Sequence, residues 1–298
     1  MLTLVKLKLR RRILVCEGLA TFAARKKSAC FLVVLSNRGT GHLAAYKPWL
    51  TIQDVPSSGR VSRISGWKAA RIHHLLSDGE TGLFLMFDWE DSVVDIREQF
   101  PLDREITRQI ATDIGVLHPR DTQTQTDLVM TTDFVVDVSD ASGSRVIART
   151  FKPHVELDDK RVIEKFEIER RYWELQKVDW GVVTDVELPA ERVKNLQWLH
   201  PMRSLDGTQV PYEGYWQDRV RVVRENWHSA GSMAIKGFCR WLEQTHGFQS
   251  GEGLTVIRFL LANKQLVMDL DREFDSLAAV STLRMDDSIK PIVLSFEK

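Results

Sequence analysis

The chain has 298 residues, 43% of them hydrophobic and 28% charged, and its 41 basic side chains balance 41 acidic ones. These proportions exclude a collagen, a coiled coil and a wholly disordered chain; no run of about 18 apolar residues is present to span a membrane, and zero net charge argues against a free-standing basic nucleic-acid binder. Cys16, Cys30 and Cys239 are odd in number and far apart, which fits neither a zinc cluster nor a disulfide framework and favours a reducing cytoplasm. The length favours two domains.

The neutrality hides an asymmetry. Residues 1–35 carry Lys6, Lys8, Arg10, Arg11, Arg12, Arg25, Lys26 and Lys27 against Glu17 alone, so the rest of the chain is net acidic. We expect residues 1–37 to be a basic arm without stable structure. Residues 42–68 read as a polar, irregular entry broken by Pro48, Pro56, Ser57, Ser58 and Gly59. From Arg71 to about Glu90, Ile72, Leu75, Leu76, Leu83, Phe84 and Phe87 recur at three- and four-residue spacing and predict a helix. Ser77-Asp-Gly-Glu80 leaves two readings open: the helix starts at Ser77 with Glu80 closing a capping box, or it runs through.

Val93–Ile96 is short and β-branched and predicts a strand; Ile106–Ile114 predicts a helix. Asp127–Val138 and Ser144–Lys152 predict two strands joined by the turn Ser139–Gly143, a hairpin closed by Pro153. Leu157–Val178 predicts a long helix and Trp180–Asp185 a short strand. Helix, strand, hairpin, helix and strand make a mixed α/β core. After about Glu187 helices are expected at Ala190–Leu199, across Val220–Gly247 and at Gly253–Asn263, followed by a strand at Gln265–Leu270. That ending suggests a winged-helix-like domain.

Asp133 on one strand of the hairpin, and Thr150-x-Lys152 on its partner, place polar side chains at one sheet edge; positions 150 and 152 share a face if the strand is regular. Glu80, on the upstream helix, adds a further carboxylate. This is the layout of the restriction-endonuclease-like, PD-(D/E)xK nucleases. Their chemistry needs carboxylates because Mg²⁺ takes hard oxygen ligands, and a lysine to stabilise developing charge or help activate water. Taken alone the pattern is equally that of an ordinary hairpin with exposed polar residues, and the usual acid before the lysine is missing.

The segments Tyr46–Arg60, Arg71–Asp78, Val94–Leu102, Thr132-Asp-Phe134, Phe151-Lys-Pro153 and Glu167–Trp173 resemble, in order and near spacing, TnsA, the endonuclease subunit of heteromeric cut-and-paste transposases. The resemblance covers most of residues 38–187 and is looser over Gly253–Arg258 and Leu261–Asn263. It implies a restriction-endonuclease-like mixed sheet core over 38–187 and a mostly α, winged-helix-like partner-binding domain over 188–298. It implies Glu80, Asp133 and Lys152 as catalytic residues, and Glu80, Asp133, Thr150 and the Phe151 carbonyl as ligands of Mg²⁺, with Mn²⁺ as a substitute. The family has glutamine where Thr150 stands, so this chain departs from it there. The implied activity is metal-dependent cleavage of the 5′ strands at transposon ends in the bacterial cytoplasm. A DDE-type transposase, TnsB, and an ATPase regulator, TnsC, are the implied partners, with no membrane involved. The alternatives are a non-catalytic assembly subunit, which Thr150 keeps open, and a stand-alone nuclease of the same fold in restriction or repair.

Other residues have plainer readings. His73 and His74 on a helix would diverge by about 100° and serve packing and surface rather than one metal. The tryptophans fall among apolar neighbours and read as core. Arg60, Arg63, Lys68 and Arg71 are balanced between a solvated face and phosphate contact. Gly253–Arg258 has the reading of a DNA-contacting helix, though the family resemblance points to protein partners there.

Overall fold

The computed structural model describes residues 37–54, 60–206, 210–286 and 288. The basic arm before residue 37 and the breakers Pro56, Ser57, Ser58 and Gly59 lie outside the described residues. Strands β1 (Ser62–Ser65) and β2 (Ile72–Leu75) pair antiparallel, and helix α1 runs Asp78–Trp89. The helix expected from Arg71 is therefore a strand up to Leu75. Ile72 is exposed, His73 buried, His74 half-buried and Leu75 buried, a period of two in which polar His73, and not Ile72, shares the inner face with Leu75. A tertiary partner decides it: Arg71 and His73 both reach the buried Glu98. The helix starts at the capping box. Ser77 Oγ accepts from the Glu80 N–H at 3.1 Å and donates to Glu80 Oε1 at 3.1 Å, while the Leu76 N–H donates to Glu80 Oε2 at 3.0 Å.

The central sheet has the order β3 (Val93–Pro101), β4 (Thr131–Asp140), β5 (Gly143–Phe151), β6 (Asp179–Val183). The first two pairings are antiparallel and β5–β6 is parallel. Asp140 opposes Gly143 at the hairpin turn, and Gly143 has φ +116°, a value side chains resist. Helix α2 (Arg104–Asp113) and helix α3 (Lys160–Leu175) cover one face, burying Ile110, Val135, Ala148, Ile168 and Trp173. Helix α1 covers the other, burying Phe84, Leu85, Ile96, Phe134 and Val136. Fully burying each such side chain is worth about 1.5–3 kcal/mol, so the two apolar layers fix which residues face which side.

Four more helices follow: α4 (Ala190–Leu199), α5 (Tyr215–Asn226), α6 (Ile235–His246) and α7 (Glu252–Ala262), then the two-stranded pair β7 (Leu266–Val267) and β8 (Arg284–Met285). Helix α7 does not have an exposed reading face. Val256, Ile257, Phe259, Leu260 and Leu261 are buried among the other helices, and Arg258 donates to the Trp198 carbonyl while stacking over its ring. Its hydrophobic residues cover most of its circumference, and Thr255 and Arg258 on the remaining stripe are half-buried, as in a core helix. Buried Asp88, at the end of α1, accepts from the Trp67 and Lys68 N–H groups and from His200 Nε2 at 2.9 Å, tying α1 to the segment after α4. Among the described residues no helix is long and apolar enough to cross a membrane.

Candidate active site

Glu80 and Asp133 converge because two strands break their alternation. Ile96 packs against α1, Arg97 and Phe100 stack on the other face, and Glu98 and Gln99 in succession both face the β2–α1 side. Gln99 has φ +48°, which turns the chain to allow this. On β4, Thr132 meets Trp173 while Phe134 meets Phe87, and the β4–β5 register begins only at Phe134–Arg149. Asp133 thus sits outside the ladder. Its Oδ2 accepts the Phe151 N–H at 2.8 Å, and its Oδ1 accepts from Gln99 Nε2 at 3.3 Å; the same Nε2 donates to Glu80 Oε2 at 3.3 Å.

Burial pushes the Glu80 carboxyl above its ordinary range. Asp133 is pushed up by burial first, then by the charges of Glu80 and Glu169. Neither carboxylate makes an ion pair among the described residues. A buried pair of hard oxygen donors with no cation beside it has the charge and chemistry of a divalent-metal site. Glu169, on α3, went unnoticed in the sequence. Its Oε1 accepts from Thr132 Oγ1 and Thr150 Oγ1, both at 2.6 Å, and from Trp180 Nε1 at 3.0 Å. Burial raises its pKa against those donors. The available signal was position: Glu169 lies on the same stripe of α3 as Ile168, Tyr172 and Trp173, where a carboxylate needs a reason.

The remaining expected site residues occupy distinct places. The Thr150 hydroxyl donates to Glu169. Lys152 is part-exposed and its ammonium pairs with Glu156 on the next turn, while its N–H donates to the Val183 carbonyl. Phe151 packs its ring against Gly79 of α1, where an added Cβ would meet ring atoms at 1.9 Å. Gly79→Ala is therefore expected to displace Phe151, loosen its N–H bond to Asp133, and cost about 1–3 kcal/mol as overpacking does. Denaturant unfolding checks the stability, and cleavage rate checks the site; an unchanged value of both would mean the ring moves freely.

The basic run divides. Arg71 is buried against Glu98 and unavailable to phosphate, and burial lowers the pKa of Lys68. Arg60 and Arg63 line an open groove of about 780 Å³ with Trp67, Thr81, His200 and Arg203, and among the described residues no carboxylate lines it. His73 is buried on Glu98 and packs at a tilt against Phe84. His42, Asp95 and Asp137 also converge, but Arg97 already pairs with both aspartates. The guanidinium offsets one of the two carboxylate charges and occupies oxygens that an ion would need.

Two family models match the chain: TnsA-like endonuclease N terminal over residues 90–185 and TnsA endonuclease C terminal over 187–270. The transposon Tn7 transposition protein TnsA of Escherichia coli is 38% identical over 241 residues, spanning 81% of this chain and 85% of that protein. With its paired carboxylates at the edge of a mixed sheet, the chain belongs to the TnsA endonuclease family.

Proposed function

We propose that this chain is the subunit that hydrolyses the 5′ strands at the ends of a transposon, with residues 38–187 as the catalytic domain and 188–298 as the partner-binding domain. The observation that carries the reading is the convergence of Glu80 and Asp133 on one buried amide at the open end of the β4–β5 ladder. In this reading Glu80, Asp133 and the Phe151 carbonyl hold Mg²⁺, with Mn²⁺ as a substitute. When bound, the ion supplies a Lewis acid for the phosphate and a water of lowered pKa. Thr150 acts through Glu169: its hydroxyl orients a carboxylate that arrives from α3 instead of from β5. Arg60, Arg63 and Arg203 offer the groove beside α1 to the phosphate backbone. TnsB is the proposed partner that cuts and joins the 3′ strands, and TnsC the proposed regulator.

Lys152 is assigned to charge developing on the scissile phosphate once it leaves Glu156. Lys152→Ala is expected to lower the rate about 10²–10³-fold, the usual cost of losing such a donor. Glu156→Gln, which releases the lysine, is expected to leave the rate equal or higher. Single-turnover nicking measures both, and a Glu156→Gln loss as deep as that of Lys152→Ala would tie the pair to structure instead. The function itself is tested by nicking of end-bearing DNA with and without metal and a TnsB-type transposase. Metal-dependent 5′ nicking that needs the transposase is expected. Efficient nicking of unrelated DNA by the chain alone would favour a stand-alone nuclease, and none under any condition a non-catalytic assembly subunit.

A further inference from the structure

Gln99 is a positioning residue whose place no motif announces. Its side chain is 3% exposed, its backbone is left-handed at φ +48°, and it is neither glycine nor asparagine. Such a conformation costs on the order of 1–3 kcal/mol and persists only where its surroundings enforce it. They do so from both flanks. The Gln99 carbonyl accepts the Trp49 N–H at 3.1 Å. Next to it, Glu98 is held through its side chain by Arg71 and His73 and through its carbonyl by the Tyr46 hydroxyl at 3.0 Å. The result turns the Gln99 amide toward Glu80 and Asp133.

The amide's orientation is settled by its partners. Its oxygen accepts from Thr131 Oγ1 at 3.1 Å, so its NH₂ faces the two carboxylates and spends one proton on each. The reversed amide would aim its oxygen at two anions. An NH₂ group placed 3.3 Å from both Glu80 Oε2 and Asp133 Oδ1 lies between two carboxylates that would serve as donors to a divalent ion. A cation held by these two oxygens would compete with the amide protons for their lone pairs.

We propose that Gln99 is a placeholder for the metal: its amide holds Glu80 and Asp133 together in the metal-free protein, and the ion competes with it for the same two oxygens. This rests on the reading of Glu80 and Asp133 as metal ligands. The placeholder keeps two buried carboxylates converged before the ion arrives, and it sets the metal affinity below what the bare carboxylates would give. Removing it raises the free energy of the metal-free state more than that of the loaded state.

The test is calorimetric titration of Mn²⁺ into the full chain without DNA, with thermal unfolding in EDTA and in Mn²⁺. Gln99→Asn keeps an amide and tolerates the left-handed backbone, but is one methylene too short to bridge both carboxylates. It is expected to melt lower than wild type in EDTA and to bind Mn²⁺ about tenfold more tightly, the worth of one charge-assisted hydrogen bond that the ion no longer displaces. Gln99→Glu, which replaces the NH₂ by a third carboxylate, is expected to melt lowest in EDTA and to recover most on adding Mn²⁺. Weaker or unchanged Mn²⁺ binding by the Asn variant overturns the proposal, because a metal ligand or a purely structural residue behaves that way. So does a Glu variant that melts with wild type in EDTA. A wild-type chain that binds no Mn²⁺ removes the ligand assignment and the placeholder together, whereas wild-type binding without tightening in the Asn variant removes the placeholder alone.

Discussion

Asp133→Asn is expected to lower 5′-strand cleavage by about 10³-fold or more while the protein stays folded, a loss at or beyond the upper end of that for a single electrostatic stabiliser. Asparagine has the size of aspartate and retains an oxygen for the Phe151 N–H, which the wild-type carboxylate accepts at 2.8 Å. What it lacks is the charge that makes the group a hard ligand for a dication. The charge it removes also repels Glu80 and Glu169, whose fields already push the Asp133 carboxyl up. The Asn NH₂ then faces the Gln99 NH₂ and forfeits that hydrogen bond, so the relieved repulsion and the lost bond offset, and stability without metal is expected to change by less than about 1 kcal/mol as activity falls. In a reaction reconstituted with partner transposase, joining of the 3′ strands should continue, so that products remain attached to donor DNA. Denaturing gels resolve the two strands, and thermal melting reports the fold. Loss of 3′ joining in a folded variant would place Asp133 in assembly and not in hydrolysis.

Glu98→Gln should be the most destabilising single change in the nuclease half, at about 3–5 kcal/mol, the cost of removing one partner from a buried ion pair. Glu98 is 0% exposed; it accepts from Arg71 on both oxygens, from His73 Nδ1 at 2.9 Å and from the His74 N–H at 3.1 Å. Burial pushes its carboxyl up, but Arg71 and His73 outweigh that and hold it at about 2. Glutamine leaves the Arg71 guanidinium buried without a counter-charge. The pH dependence follows in sign. A carboxyl depressed from its ordinary 4.5 to about 2 contributes its full stabilisation above about pH 4.5 and loses it as the pH falls toward 2. The stability gap between wild type and Glu98→Gln, measured by denaturant unfolding, should shrink between pH 5 and pH 3 on the ordinary range of carboxyl titration. A gap that stays constant across that range would assign the cost to packing. Because Glu98 precedes Gln99, the variant also probes how firmly the left-handed turn is held.

Much of the fold was legible along the chain because local signals agreed with packing. The β4–β5 hairpin carries its turn residues and Gly143. Helix α3 repeats its apolar positions at helical spacing, and α4 spans Ala190–Leu199 as expected. Ser77 and Glu80 mark the start of α1 by a capping box that needs only neighbours in sequence. Residue type, spacing and family resemblance singled out Glu80, Asp133 and Lys152; the fold brings the two carboxylates onto one amide, while Lys152 pairs with Glu156. The strand at Ile72–Leu75 was misread because Ile72 and Leu75 stand at helical spacing, whereas the strand exposes Ile72 and buries polar His73 beside Leu75; the partner that settles the matter, Glu98, lies 25 residues beyond His73.

Other features are properties of the folded chain alone. Whether α7 reads DNA or fills a core depends on which elements surround it, and they bury it. Whether Arg71 meets phosphate depends on Glu98, and whether Thr150 faces an ion depends on Glu169, which reaches it from another element. The left-handed turn at Gln99 has no local cause, since glutamine does not favour it; Trp49, Tyr46, Arg71 and His73, acting on both flanks, help sustain it. Composition and periodicity set which segments form helices and strands, because those depend on neighbours within a few positions. Which carboxylates share a cavity, and what stands between them, was decided by contacts between distant segments, because only there does burial remove water and make each charge seek a partner.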